Sequence, residues 1–364
     1  MKIAIDLTSL ADSLSGLQRF AENTAYGLIS VNPGIGFIPV FRGEVPERFK
    51  PLLRERKIEA VVLPRRNKLI FRLFTLPLGL MRLKADKWLF PAFPPPVLFA
   101  HRGTYTAIHD MCCFDCPETM TLPGRLRFRF LFRKAKLLRE SIITVSQFSK
   151  RRIHDILGIP NGKIHVVPNG VDEKFLLKQG SASNAEHVRE RYKLPDKYIL
   201  CLSTLEPRKN MQLLVKACSE LWQEGALDAE LVIAGRKGWK TEDMLVAVPE
   251  RFRGRIHFTG FAADDDLPLI YRMAEAFVFP SLYEGFGIPP LEALAAGTCV
   301  ISSDAEAMKE TLGTSAAFFK NDDLASLKQT LLEGMRSKPA ADTGIIEKYS
   351  WKAAAESLGK ALNL

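Results

Sequence analysis

Short apolar runs recur along the chain, and most are apolar at nearly every position rather than at alternate ones. Strands of that kind are covered on both faces, as in parallel sheets sandwiched between helices. A first series comprises 2–6, 37–41, 60–63, 106–109, 142–146 and 165–168. A second comprises 198–203, 230–234, 256–259, 277–280 and 299–302. Helix-length amphipathic stretches separate the runs, so the alternation predicts an α/β protein built from doubly wound sheets. Between the two series lies the small, polar, aperiodic stretch 177–186, read as a linker. It divides the 364 residues into Rossmann-like domains at 1–176 and 187–346. The last stretch reads as an amphipathic helix with Trp351, Ala355, Leu358 and Leu362 on one face. Two such domains facing each other bring their strand ends to a common cleft, where ligands of these sheets bind.

Several classes are disfavoured at once. The six cysteines include a lone Cys113-x-x-Cys116 without a second ligand pair, so free thiols are expected rather than zinc or disulfides. The opening MKIAIDLTSL reads as a buried strand, not a leader, and the longest apolar candidate for a membrane span, 69–83, is broken by Arg72, Pro77, Gly79 and Arg82. A soluble, cytoplasmic protein is expected. Charge is divided unevenly: residues 1–170 carry 27 Lys and Arg against 13 Asp and Glu, whereas the remainder carries 24 against 28. The basic half predicts an anionic partner. No nucleic-acid recognition motif accompanies it, so nucleic acid is not the expected one.

Candidate site residues follow strands. Glu284-Gly-Phe286-Gly287-Ile288-Pro-Pro-Leu-Glu292 leaves an apolar run and opens a helix. Its glycines permit close backbone approach, and the helix start suits phosphate. Arg208 and Lys209, in Glu206-Pro-Arg-Lys-Asn210, sit side by side at another strand-to-helix junction. Two cations beside a positive dipole end require an anion, and a diphosphate is the natural one. His109, at a strand end, is suited to donating to a substrate hydroxyl. Gly16, in the first strand-to-helix loop, offers backbone donors. Gly235, within 234–239, and Phe261, after Gly260, can flank a base or phosphate. The acidic run Asp264-Asp265-Asp266 precedes an apolar helix, where capping acids belong, and is not read as a metal site.

Taken in order, Ser15-Gly16, His109-Asp110, Val167-Pro-Asn-Gly-Val-Asp172, Glu206-Pro-Arg-Lys-Asn210, Ala234-Gly235, Thr259-Gly-Phe261 and Glu284-x7-Glu292 resemble retaining glycosyltransferases of family 4, which have the GT-B fold. The likeness runs from about residue 4 to Leu312. Tyr349-Ser-Trp351 and the following helix, 347–364, resemble the family segment that packs back on the first domain. The resemblance implies that Arg208 and Lys209 clamp a donor diphosphate and that Glu292 holds ribose hydroxyls. It implies backbone contacts from Phe261 to the base, and a hexose positioned by Glu284 with the N–H groups of Phe286, Gly287 and Ile288. His109 would touch the sugar near its 6-position, and Gly16 would approach the phosphate. Here the first loop reads Ser-Gly-Leu-Gln-Arg-Phe, without the second glycine that members often carry. The family needs no metal or other cofactor, only the nucleotide sugar as co-substrate.

The Glu-Pro-Arg-Lys-Asn and His-Asp motifs, with Pro117-Glu118, resemble bacterial mannosyltransferases of polysaccharide and lipopolysaccharide synthesis. GDP-mannose is the expected donor. The alternatives are a UDP- or dTDP-sugar transferase (glucosyl, N-acetylglucosaminyl or rhamnosyl), or a non-transferring GT-B enzyme such as an epimerase. In the first half, 65–83 and 125–139 are both basic and apolar, and the second holds seven cations and no acid. If Phe128, Leu131, Phe132 and Leu138 share a helical face, that helix would lie on an anionic membrane, consistent with a lipid-linked saccharide acceptor.

Overall fold

In a computed structural model, which describes residues 1–11, 15–176, 182–204, 206–235, 248–337 and 343–364, the apolar runs form two wholly parallel sheets. The first holds β1 (Lys2–Asp6), β2 (Gly36–Arg42), β3 (Val61–Leu63), β4 (Lys87–Phe90), β5 (Thr104–Ala107), β6 (Ser141–Thr144) and β7 (Ile164–Val166). Their order is β3-β2-β1-β4-β5-β6-β7. The second holds β8 (Tyr198–Leu202), β9 (Glu230–Ala234), β10 (Ile256–Gly260), β11 (Ala276–Phe279), β12 (Val300–Ser303) and β13 (Ala317–Phe319), in the order β10-β9-β8-β11-β12-β13. Each sheet therefore reverses direction once, between β1 and β4 and between β8 and β11. These are the points where a doubly wound sheet opens a crevice.

The chain divides into one unit of Met1–Gly170 with Tyr349–Leu364 and a second of Val171–Lys348. The division thus falls at Gly170/Val171, six residues before the expected end at 176. Of the stretch read as a linker, 182–186 belongs to the helix Ala182–Tyr192, and 177–181 lies outside the described residues. The helix Trp351–Ala361 packs on the helix Gly16–Val31 closely enough that a Cβ at Gly27 would stand 2.6 Å from the Ala355 Cβ. Its start is capped by the Ser350 hydroxyl, which accepts from the Ala353 N–H at 3.1 Å.

In the second unit the helix Met211–Gln223 lays Leu214, Cys218 and Leu221 against Ile199 and Cys201 of β8 and Leu231 and Ile233 of β9. In the first, the helix Leu122–Leu137 buries Leu131, Phe132 and Ala135, the last two against Ile142, Ile153 and Ile164. This corrects the face expected to meet a membrane: Leu131 and Phe132 are core, and Phe128 packs against the same cluster. The expectation paired residues by their common apolarity, whereas the helix has two apolar stripes and the sheet takes the one holding Phe132. Asp266, the last of the acidic run, departs from its expected role too. Asp266 occupies the N-cap position before the helix Leu267–Arg272 but makes no side-chain cap. Its carboxylate accepts from Tyr192 at 2.8 Å and Arg191 at 3.0 Å instead. All six cysteines are free thiols.

Candidate active site

The loops leaving β8 and β11, adjacent strands at the second unit's reversal, carry the two most specific motifs. After β8, Pro207–Lys209 forms one 3-10 turn. Asn210 follows with φ +50° and turns the chain into the helix Met211–Gln223. Asn is one of the few side chains suited to that left-handed conformation. After β11, residues 280–287 form a loop held from several sides. The Leu282 N–H donates to the Arg208 carbonyl at 2.8 Å, Asn321 Nδ2 to the Leu282 carbonyl at 2.9 Å, and Ser303 Oγ to the Ser281 carbonyl at 2.6 Å.

This bracing sets Glu284 against both cations. Arg208 Nη1 lies 3.2 Å from Glu284 Oε2 and 3.4 Å from the Tyr283 carbonyl, while its Nε donates to Glu206 Oε1 at 3.0 Å. Lys209 Nζ donates to Glu284 Oε1 and stands 5.2 Å from the centroid of the Phe279 ring. Lys209 and Glu284 are both buried. Burial pushes the Glu284 carboxyl upward, but Lys209 and then Arg208 outweigh it and hold the group below the ordinary carboxylate range. The adjacent cations were expected to require an anion; in this structure Glu284 supplies it. Arg208 and Lys209 also precede the helix rather than occupy its first turn.

The second carboxylate has different company. Glu292 is the fifth residue of the helix Ile288–Ala295 and is buried, and its Oε2 accepts from Tyr271 OH at 3.0 Å. Tyr271 escaped the sequence reading. The available signal was a tyrosine in an apolar stretch, since a buried phenol needs a polar partner for its tip. Pro289 and Pro290 have no N–H to offer, so of the four donors at the helix start only those of Gly287 and Ile288 remain. Gly287 has φ +94°, and a Cβ there would stand 2.5 Å from the Met308 Cε. Buried Phe286 is pinned by Thr311, whose hydroxyl donates to its carbonyl at 2.9 Å.

Gly235, after β9, donates its N–H to the Gly260 carbonyl at 2.8 Å. Its φ is +146°, and a Cβ would stand 1.9 Å from the Ser203 carbonyl oxygen, so this glycine brings the loops after β8 and β9 together. Residues 236–239, read with it, lie outside the described residues. Phe261 follows β10 and is exposed.

His109 and Gly16 belong to the first unit. His109 follows β5, its ring edge-on to Phe20 at 4.8 Å between centroids. Its Nε2 donates to the Pro91 carbonyl, in the loop after β4, at 2.9 Å. Burial lowers its pKa, against the opposing pull of that carbonyl and Asp110. A neutral ring donating through Nε2 presents Nδ1 as an acceptor, which reverses the expected role as donor to a hydroxyl. Gly16 is the exposed first residue of its helix, whose start is closed by the Ser15 N–H donating to Gln18 Oε1 at 3.0 Å. A cavity of about 250 Å³ opens nearby in sequence, lined by Leu7, Phe41, Arg42, Glu44, Glu47 and Arg65 at the ends of β1 and β2. Among the described residues, no group of three or more His, Cys, Asp or Glu side chains is arranged to hold a metal ion.

Two parallel sheets whose strand order reverses once, each with its candidate residues in loops after strands, define the class: a GT-B fold. Solved structures share this fold at low sequence identity. Anabaena HepE, crystallised with UDP-glucose, aligns with 100% of this chain and 99% of its own at a TM-score of 0.73 and 17% identity. WaaG, a glycosyltransferase of lipopolysaccharide biosynthesis, aligns with 98% of this chain and 94% of its own at 0.66 and 14%. The chain belongs to glycosyltransferase family 4: the model for that family matches residues 45–175, and the model for glycosyl transferases group 1 matches 183–348. Its relatives include the O-antigen chain mannosyltransferase B of Escherichia coli, 30% identical over 262 residues, 68% of this chain and 66% of that protein. The serotype-specific mannosyltransferase WbdA of E. coli is 30% identical over 221 residues, 58% of this chain. The chain spans only about a quarter of WbdA's length, 27%.

Proposed function

We propose that this glycosyltransferase moves a mannosyl residue from GDP-mannose, with retention and without a metal, to a saccharide acceptor in bacterial cell-surface polysaccharide synthesis. The acceptor is lipid-linked, and the enzyme works at the cytoplasmic face of the membrane. The observation that carries the reading is the Arg208–Glu284–Lys209 cluster at the strand reversal. Two cations held there are placed to neutralise a departing diphosphate, the part a metal ion plays elsewhere. Glu284 is then released to hydroxyls of the donor hexose, and Glu292, oriented by Tyr271, holds the ribose. His109 accepts a hydrogen bond from the sugar through Nδ1. No residue reads as a covalent nucleophile, so the leaving phosphate assists deprotonation of the acceptor hydroxyl on the same face. The mannosyl choice is supported by the O-antigen mannosyltransferase relatives, and the cavity at the ends of β1 and β2 offers the acceptor both charged groups and an apolar floor.

The test pairs calorimetry with turnover. Glu284→Gln should cut transfer by about 10²–10³-fold, while free GDP binds at least as well as before, because the two cations lose an internal competitor. Collapse of GDP binding would sink this division of roles. Titration with GDP-mannose, UDP-glucose, UDP-N-acetylglucosamine and dTDP-rhamnose decides the donor, and tighter binding of any but the first would reassign it.

A further inference from the structure

Most of the exposed large apolar side chains among the described residues fall in three segments of the first unit. In 68–81, which is helical throughout with one wide turn at Phe71–Thr75, they are Leu69, Ile70, Leu73, Phe74, Leu78 and Met81. In the loop after β4 they are Val97 and Leu98. On the helix Leu122–Leu137 they are Leu122, Leu126, Phe130 and Leu137. The last four share a stripe at helical spacing, and Leu131, Phe132 and Ala135 point the other way into the core. Burial of the opposite side explains why the apolar stripe left outside is not the one first expected.

The segments are joined. Arg72 lies 5.3 Å from the centroid of the Phe93 ring. Lys134 Nζ donates to the Pro96 carbonyl at 2.9 Å and the Phe99 carbonyl at 2.6 Å. The intervening loop is thereby tied to both helical segments. Burial, and then the charge of Arg72, lowers the pKa of Arg127. From Arg65 to Lys84 there are six cations and no acid, and from Arg125 to Arg139 seven and none.

We infer that this surface docks onto an anionic lipid bilayer, its leucine and phenylalanine side chains entering the interface and its cations lying among the headgroups. Charge complementarity selects that occupant. A second copy would bring like-charged surfaces together, and a nucleic acid would leave aliphatic side chains unmatched. Each exposed side chain adds buried apolar area and each cation adds attraction to anionic headgroups. The inference rests on the membrane-side acceptor proposed above, which it deepens by naming the contact surface.

The test is co-sedimentation of the full chain with vesicles of phosphatidylcholine, alone or containing phosphatidylglycerol, alongside transfer assays on soluble and lipid-linked acceptors. The chain should pellet with the phosphatidylglycerol vesicles and not with phosphatidylcholine alone. Phe74→Ser with Phe130→Ser should weaken binding by about tenfold or more, and transfer to a soluble acceptor should persist. Should that pair fail to fold, Arg66→Glu with Arg82→Glu should produce the same loss. Wild-type protein that ignores anionic vesicles overturns the inference. So does undiminished binding by both variants, or a change of oligomeric state in place of vesicle binding. Vesicle binding with transfer confined to soluble acceptors would remove the lipid-linked acceptor and leave the docking surface standing.

Discussion

The two units treat positive charge in opposite ways. In the second, buried Lys209 and half-buried Arg208 are matched by Glu284 and Glu206. In the first, the cations of 65–84 and 125–139 occur without a single intervening acid. A buried cation needs a partner in a fixed place, because desolvation must be offset by geometry. A surface cation is screened and hydrated, and acts through number more than position. The second unit's charges therefore make a site, and the first unit's make a surface.

The contrast can be broken most directly at Lys209. Lys209→Ala leaves Glu284 buried with half its compensation and should cost about 3–5 kcal/mol in urea denaturation. Arg82→Ala should stay within about 0.5 kcal/mol. Equal effects would erase the distinction. Gly235→Ala tests the backbone side of the site. With φ at +146° and the Ser203 carbonyl in the way, a loss of about 1–3 kcal/mol is expected in the same measurement. Tyr271→Phe removes one partner of buried Glu292 and should cost about 1 kcal/mol. It should also weaken binding of free GDP while sparing free pyrophosphate, since Glu292 is assigned to ribose. The smallest effect is the pH response of His109. Its pKa is lowered on folding, so the unfolded chain takes up the proton first, and stability present above about pH 6.5 is lost as pH falls below it. His109→Gln should flatten that part of the stability–pH curve. An unchanged slope would assign the titration elsewhere.

Strands covered on both faces announce themselves, and the runs at β8, β9 and β11 were legible because nothing polar interrupts them. β4 was not, because Lys87–Phe90 is short and lies between a charged stretch and a proline-rich one. β13 was not, because three residues, Ala317–Phe319, carry no periodicity. β4 is fixed by pairing with β1 and β5 on its two sides, and β13 by pairing with β12. The motifs at Arg208-Lys209 and Glu284–Glu292 were readable as chemistry, but not the bond between them, which spans some 75 residues of chain. The partnership of Tyr271 with Glu292 was hidden for the same reason. The docking face of the helix Leu122–Leu137 was misjudged because a helix with two apolar stripes does not say which one the core will take.

The return of the chain to the first unit at Tyr349 has a consequence for how the protein is made. The helix Gly16–Val31 leaves the ribosome before the whole of the second unit, and the helix that packs on it, Trp351–Ala361, leaves after it. At synthesis rates of about 5–20 residues per second, the early helix waits many seconds with its Gly27 groove uncovered, while all of the second unit emerges and has time to fold. The first unit therefore gains the cover of its Gly27 groove only after the second unit has been synthesised.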